Sequence, residues 1–183
     1  MYDDVIKFWF NENNSRVWFE KNELFDNSIR NNFGVLYESA LNGNLNHWKD
    51  KPISCLALII ILDQFSRNLF RNNSKAYEQD QLCIDLSYIA IKEGYLENYS
   101  EDQRLFALLP LVHSENLETH LYANKMREEY LSDHSRHENI KKSWADHRKV
   151  IERFGRYPHR CKLKGLELTD AEEIFLQKPN SSW

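Results

Sequence analysis

The sequence contains few residues that interrupt regular structure, with only 5 glycines and 4 prolines among 183 residues. It has no Pro-rich or Ser-rich linker, no low-complexity segment and no sustained alternation of polar and apolar residues. The lack of a linker predicts a single domain over residues 1–183, and the lack of alternation argues against β-strands. The expected fold class is therefore all-α.

Cysteines are also few and give no sign of a disulfide framework. Cys55, Cys83 and Cys161 are odd in number and widely spaced, and no C-x-x-C pair occurs. Reduced thiols are the simpler interpretation, which favours a cytoplasmic location.

Long hydrophobic runs are absent as well. The amino-terminal stretch MYDDVIKFWF is acidic and lacks an extended apolar region, so no secretory signal is expected. The longest apolar run, 56–62, is far too short to span a bilayer, and the mean hydropathy is −0.69. We expect no membrane association.

The charge balance limits the class of partner. Lys and Arg total 24 against 28 Asp and Glu, which gives a net charge of −4 and a pI near 6.0. This argues against a surface built for a long nucleic acid but leaves a local basic patch open. With 42% hydrophobic and 13% aromatic residues, the chain is expected to fold.

Apolar periodicity and helix-end residues predict about eight helices that pack as antiparallel pairs. Their approximate ranges are 3–11, 16–42, 52–71, 74–93, 101–112, 115–131, 136–154 and 170–177. We expect a break near Asn22 and a kink at Pro110. Capping boxes are expected at Ser100, Ser135 and Thr169. The amino-terminal aromatic residues are expected in the core: Trp9, Phe10, Trp18, Phe19 and Phe25.

The first polar motif is LDQFSRNLFR, residues 62–71. Asp63 and Arg67 are four residues apart, as are Arg67 and Arg71, so these side chains share a helix face. A structural ion pair between Asp63 and Arg67 explains the pattern, and an arginine clamp for a carboxylate or phosphate is the sharper alternative.

The second motif is His113-Ser114-Glu115, which follows Pro110. Ser114 suits a helix cap and Glu115 the first helical turn, but neither role accounts for His113. The H-x-E spacing lacks the geometry of a helical metal motif.

The third motif is the most basic, with four arginines and two histidines between His147 and Arg160. His147 falls on the apolar stripe of its helix, where a satisfied core histidine is the usual explanation. A basic concentration in an acidic protein nevertheless favours a negatively charged ligand. Cys161 beside this run is more simply incidental than a nucleophile.

The motifs DVIKFWF, LDQFSRNLFRN, LPLVHSE, IERFGRYPHRC and TDAEEIFL occur in this order over nearly the whole chain. In these motifs the chain resembles an uncharacterised bacterial family defined only as a numbered domain of unknown function. The resemblance implies a tetratricopeptide-like fold of packed helix pairs and implies no activity. The sequence departs from the family pattern at Ser66, Asn72, Cys161 and Leu166, where the pattern has Pro, Gly, Asn and Arg.

The polar motif positions that the resemblance carries over are Asp63, Gln64, Arg67, Asn68, Arg71, His113, Ser114, Glu115, His147, Glu152, Arg153, Arg156, His159 and Arg160. The chain has no G-x-S-x-G, Walker or G-x-G-x-x-G motif that would indicate a particular chemistry.

We therefore predict that the three motifs meet in one polar pocket for a small anionic ligand that carries phosphate or carboxylate. Whether the ligand also reacts, as in a hydrolase or transferase, is left open. The candidate catalytic residues are His113, Glu115, His147 and His159. The candidate ligand-binding residues are Asp63, Gln64, Arg67, Asn68, Arg71, Arg156 and Arg160.

No metal or other cofactor is expected, because the neighbouring arginines disfavour a divalent cation. One alternative is a helical-repeat module that binds a protein or peptide in an open apolar groove. A second alternative is RNA or nucleotide binding through the same arginines, with aromatic stacking.

Overall fold

The structure is a computed structural model and describes residues 1–179 and 181–182. Within these residues the chain forms eleven α-helical segments and no β-strand. They are α1 (Tyr2–Trp9), α2 (Glu12–Ser15), α3 (Glu23–Leu41), α4 (Pro52–Ile59), α5 (Ser66–Leu69), α6 (Asp80–Lys92), α7 (Glu101–Val112), α8 (Leu117–Tyr130), α9 (His137–Phe154), α10 (Pro158–Cys161) and α11 (Asp170–Leu176). The predicted all-α class is confirmed.

A π-helical segment, Ile60–Phe65, joins α4 to α5, so these two form one continuous helix. The described residues therefore contain ten helices rather than about eight. The difference comes mainly from α2 and α10, which have four residues each and are too short to show a helical period.

Helix ends follow the local sequence in most places. Ser100 and Thr169 form the predicted capping boxes of α7 and α11. Asn22, where a break was expected, caps α3 by accepting a hydrogen bond from the backbone N–H of Phe25. The prediction for Ser135 is wrong, because its N–H and hydroxyl both donate to the carboxylate of Glu101 instead.

The core is built around the continuous α4–α5 helix and the amino-terminal aromatic residues. Trp9 is fully buried and contacts the rings of Trp18, Phe65 and Phe106. Phe19 does not belong to this core, because 64% of its surface is exposed. Helices α6, α7 and α8 each pack on the next helix in the chain, while the tetratricopeptide-like superfamily stays a prediction from the resemblance.

The helix Pro52–Leu69 is long and apolar enough to cross a bilayer by length and composition alone, but 78% of it is buried inside the protein. This is the pattern of a core helix. The cytoplasmic location stays a prediction.

A smaller cluster holds the carboxyl-terminal segment against the rest of the fold. Val150 and Ile151 of α9 pack with Tyr157, and Phe154 and Phe175 pack on this group. The Tyr157 hydroxyl donates a hydrogen bond to the carbonyl of Val112, at 2.5 Å. The third sequence motif is thereby fixed beside the end of α7, where the second motif lies.

Asn72, directly after the first motif, has an unusual backbone conformation. It has a φ of +59°, a left-handed conformation that glycine adopts freely and most other residues avoid. We expect Asn72→Gly to leave the free energy of unfolding unchanged or slightly higher, and Asn72→Ala to lower it by about 1 kcal/mol. Urea denaturation of the two variants measures the difference. If both variants unfold at the same urea concentration, the left-handed backbone at Asn72 carries no strain for alanine.

Candidate functional site: a cavity bordered by a closed polar network

Asp63 lies in the π-helical segment and is fully buried. Its carboxylate oxygen Oδ1 lies 2.8 Å from Nδ1 of His113 and 3.2 Å from a guanidinium nitrogen of Arg67. The side-chain amide of Gln64 donates to the other oxygen. π-Helical turns occur often at functional sites, and this one brings an ionised group into the core.

The contacts of Asp63 continue into a closed network. Arg67 pairs with Asp80 at 2.9 Å, and the other carboxylate oxygen of Asp80 pairs with Arg160 at 2.9 Å. Arg160 then donates to the backbone carbonyl of His113 at 3.1 Å, which closes the circuit. We call Asp63, Arg67, Asp80, Arg160 and His113 the five-residue network. It links the continuous α4–α5 helix to α6, the end of α7 and α10.

The network is electrically neutral when His113 is uncharged. Burial alone would raise the pKa of Asp63, but Arg67 and His113 outweigh it and hold the pKa well below its usual range. Burial and the charge of Arg67 lower the pKa of His113, although Asp63 opposes them. Two aspartates then balance two arginines.

One cavity of about 480 Å³ lies against this network. Residues from all three motifs line it: Gln64, Arg67, Asn68, Arg71, His113, His147, His159 and Arg160. The other described residues of the wall are Trp18, Phe19, Glu20, Lys21, Leu109, Ser143, Tyr157 and Ser182. The motifs therefore converge, while their roles in binding or catalysis stay predictions.

The carboxylates that balance the arginines lie behind the cavity wall. Asp63 and Asp80 do not line the cavity, and neither does Asp26, which receives a bidentate contact from Arg71 and a hydrogen bond from Asn68 at 2.8 Å. The arginines thus line the cavity, whereas the carboxylates that pair with them do not.

Arg160 is fixed between two aromatic rings. Its guanidinium lies 4.5 Å from the ring centroid of Tyr77 and 4.4 Å from that of Tyr157. Arg160 is 5% exposed, and its buried Nε has no hydrogen-bond partner among the described residues. A buried donor without an acceptor is energetically costly, so this one calls for explanation.

The two further histidines in the cavity are held uncharged. Burial lowers the pKa of His147 to about 3, against the effect of its hydrogen bond to the carbonyl of Ser143. Burial and the neighbouring Arg160 lower the pKa of His159 to about 3 as well. At neutral pH both are therefore imidazoles rather than imidazolium ions.

Three predicted site residues do not line the cavity: Asp63, described above, and Glu115 and Arg156. Glu115 accepts a hydrogen bond from the backbone N–H of Tyr157 at 2.9 Å and pairs with Lys164. Arg156 donates two hydrogen bonds to the carboxylate of Glu172, at 2.6 and 2.7 Å. Both contacts fasten the carboxyl-terminal segment, so Glu115 and Arg156 have structural partners instead of facing a ligand.

Sequence reasoning missed the residues that complete the site. Asp26, Tyr77 and Asp80 lie outside every motif, and no spacing in the sequence connects them to Arg71 or Arg160. The sequence predicts Phe19 in the core, but the ring is exposed at the cavity wall. A stretch rich in aromatic residues does not indicate which of its rings stays outside the core.

Other candidate chemistries receive little geometric support. Among residues 1–179 and 181–182, no three His, Cys, Asp or Glu side chains are arranged to hold a metal ion, and the expected absence of a metal stays a prediction. Burial raises the pKa of the Cys161 thiol, which disfavours a thiolate nucleophile. A more open cavity of about 570 Å³ along α9 contains none of the candidate residues.

A protein-family model for a bacterial protein of unknown function, DUF924, matches residues 5–180. No curated protein matched the chain. Among solved structures, the chain is similar to the protein of unknown function ATU0120 from Agrobacterium tumefaciens, with 31% sequence identity and a TM-score of 0.88 over 96% of each chain. The likeness therefore extends over nearly the whole fold.

Asp80 tests the energetic weight of the five-residue network. Asp80→Asn keeps the side-chain size and removes the charge shared by Arg67 and Arg160. We expect the free energy of unfolding to fall by about 3 kcal/mol, the low end for breaking a buried ion pair, because the Asp80 side chain is 14% exposed. Exposed Asp85 on the same helix is the matched control, and Asp85→Asn is expected to change stability by less than about 0.5 kcal/mol. Equal effects in urea denaturation would contradict the network's role.

His147 tests the neutral state of the cavity histidines. An unfolded chain protonates histidine near pH 6.5, whereas folding holds His147 neutral down to about pH 3. Below pH 6.5 the unfolded state binds the extra proton, so the free energy of unfolding falls as the pH falls, by up to about 1.4 kcal/mol per pH unit for this residue. We expect His147→Gln to flatten this slope between pH 6.5 and 4.5 in urea denaturation.

Exposed His47 supplies the control for that measurement, and His47→Gln is expected to keep the wild-type slope. A slope that His147→Gln leaves unchanged would show that His147 takes up a proton without unfolding.

Proposed function

The chain belongs to the DUF924 family of bacterial proteins of unknown function, and we propose that its central cavity binds a small anionic ligand that carries a carboxylate or phosphate group. The observation that carries the proposal is the charge of the cavity wall. Among the described lining residues, the cationic side chains are Arg67, Arg71, Arg160 and Lys21, and the anionic one is Glu20.

The ion pairs behind the wall support this proposal. Four cations lining one cavity would repel one another, and the far-side carboxylates of Asp26, Asp63 and Asp80 reduce that repulsion without blocking the cavity. The arginines are held in place before a ligand arrives, which lowers the entropy cost of binding. Planar guanidinium groups bind carboxylate and phosphate in matching geometry.

Arg160 adds a second line of support. Its Nε is a buried donor without an acceptor among the described residues, and Tyr77 and Tyr157 fix the plane of its guanidinium. An oxygen atom of an anionic ligand, reached by a small shift of this side chain, would supply the acceptor.

The rest of the wall indicates the kind of molecule that carries the anion. Trp18, Phe19, Leu109 and Tyr157 give the cavity an apolar side, which suits a ligand with an aromatic or aliphatic part. The volume of about 480 Å³ is in the range of small-molecule sites. A small organic acid or phosphate ester fits these features better than a long polyanion.

Ligand-induced stabilisation tests the proposal. We expect benzoate or inorganic phosphate to raise the melting temperature relative to chloride at the same ionic strength, equivalent to about 2.7 kcal/mol at a hundredfold excess over the dissociation constant. Arg71→Lys keeps the charge but loses the planar fork, and it should reduce the shift. Benzoate and phosphate report separately on the two anionic groups.

Two arginines outside the cavity serve as controls, each variant being compared with its own ligand-free melting temperature. Arg156 binds Glu172 and Arg30 donates to the carbonyl of Leu69, so Arg156→Ala and Arg30→Ala should keep the full shift. Stabilisation by neutral peptides but by neither anion would support the peptide-binding alternative. Stabilisation by oligoribonucleotides alone would support the RNA alternative.

A further inference from the structure

His113 places one ring nitrogen against a buried carboxylate and also forms part of the cavity wall. Nδ1 lies 2.8 Å from the Asp63 carboxylate, and His113 lines the cavity while Asp63 does not. Because Asp63 is ionised and accepts only, Nδ1 must carry the proton in the neutral imidazole. Nε2 is then an unprotonated base, and no described residue hydrogen-bonds it.

We propose that Nε2 of His113 is the general base of a hydrolytic site, where it activates water to cleave an acyl ester whose anionic group is held by the cavity arginines. This inference rests on the anion site proposed above and adds a reaction to it. Asp63 is a positioning residue, since it holds the imidazole and sets its tautomer without touching the substrate.

The reaction uses only water as co-reactant. Nε2 takes a proton from the water molecule as the water oxygen bonds to the ester carbonyl carbon. The carbon–oxygen bond to the alcohol then breaks, and the departing alkoxide takes the proton back from Nε2. The products are an alcohol and a carboxylic acid, which ionises and releases a proton to solvent.

Arg67 is placed to assist the charged intermediate. Its guanidinium contacts the same Asp63 oxygen that receives Nδ1 of His113, so the arginine and the base lie side by side. Arg67 also lines the cavity and keeps 21% of its side chain exposed. A fixed cation beside the base stabilises the negative charge that develops on the carbonyl oxygen.

His147 and His159 are the other imidazoles in the cavity. His147 Nδ1 donates to the backbone carbonyl of Ser143. The observed pairing of His113 with Asp63 suits His113 to act as the base, because a carboxylate partner stabilises the imidazolium that forms when the base accepts a proton.

The charged and titratable groups that act on His113 come from each neighbouring element. They are Asp63 and Arg67 on the α4–α5 helix, Asp80 on α6, His120 on α8, His147 on α9 and Arg160 on α10. Burial and the charge of Arg67 outweigh the opposing effect of Asp63 and Asp80, so the pKa of His113 lies below its ordinary value. The rate should therefore rise with pH in the acidic range and stay level from about pH 7 upward.

The first test is the tautomer of His113 in the wild-type protein. Long-range proton–nitrogen NMR of histidine-labelled protein at pH 7, assigned with His113→Gln, should show the proton on Nδ1. A proton on Nε2, or a charged imidazolium, overturns the proposal.

The second test is hydrolysis of para-acetoxybenzoate, with its neutral methyl ester as the matched control substrate and para-acetoxyphenyl phosphate as the phosphate counterpart. We expect turnover of at least one anionic ester and none of the methyl ester above the buffer rate. His113→Gln should lower kcat by about 100-fold or more, while His47→Gln keeps the wild-type rate.

Asp63→Asn separates positioning from folding. If this variant retains the wild-type circular dichroism, we expect a lower kcat with little change in KM and a pH profile shifted to lower pH, because the carboxylate that raises the basicity of His113 is gone. If it fails to fold, the tautomer and the His113→Gln rate still decide the matter. Equal rates of wild type and His113→Gln on both anionic esters overturn the proposal.

These outcomes remain distinct from those of the anion site itself. His113→Gln should keep the stabilisation by benzoate or phosphate, since the arginines are intact. Stabilisation without His113-dependent turnover overturns the hydrolytic proposal alone, whereas the loss of both in the wild type overturns the binding proposal as well.

Discussion

The structure depends on the placement of one carboxylate, that of Asp63, in a fully buried position. An unpaired buried charge is strongly destabilising, so this one requires partners from elsewhere in the fold. Arg67 and His113 contact it directly, and Asp80 and Arg160 complete the closed circuit. Each arginine in the circuit therefore has a counter-charge and a fixed direction.

In this arrangement the arginines both pair with carboxylates of the protein and line the cavity. Their charge is balanced by carboxylates that do not line the cavity, while the arginines themselves form part of its wall. Arg71 repeats the pattern with Asp26 behind it. A cavity wall can thus be strongly basic in a protein whose net charge is −4, and the same fixed network orients the imidazole of His113. Binding and proton transfer would then share one scaffold.

The fold class and the polar motifs that line the cavity could be predicted from the sequence, because helical periodicity, caps and dense polar motifs are local signals. The ion-pair partners of the arginines could not be predicted. Asp80 and Asp26 meet their arginines only through tertiary packing, and Arg156 and Glu115 are turned away from the cavity by Glu172 and Tyr157. The π-helical segment also changes the phase of the helix at Ile60–Phe65, so a regular helical projection assigns the faces around Asp63 incorrectly.

The closed network also has a consequence for the order of events during synthesis. Asp63 and Arg67 leave the ribosome before Arg160, which follows almost a hundred residues later. The circuit cannot close until the carboxyl-terminal segment has docked, so contacts that are distant in sequence must form late in folding. Until then, the cost of burying the Asp63 charge is only partly offset by ion pairs. Solvent exposure of this segment is therefore favoured in the nascent chain. The network therefore links completion of the core to synthesis of the segment that carries Arg160.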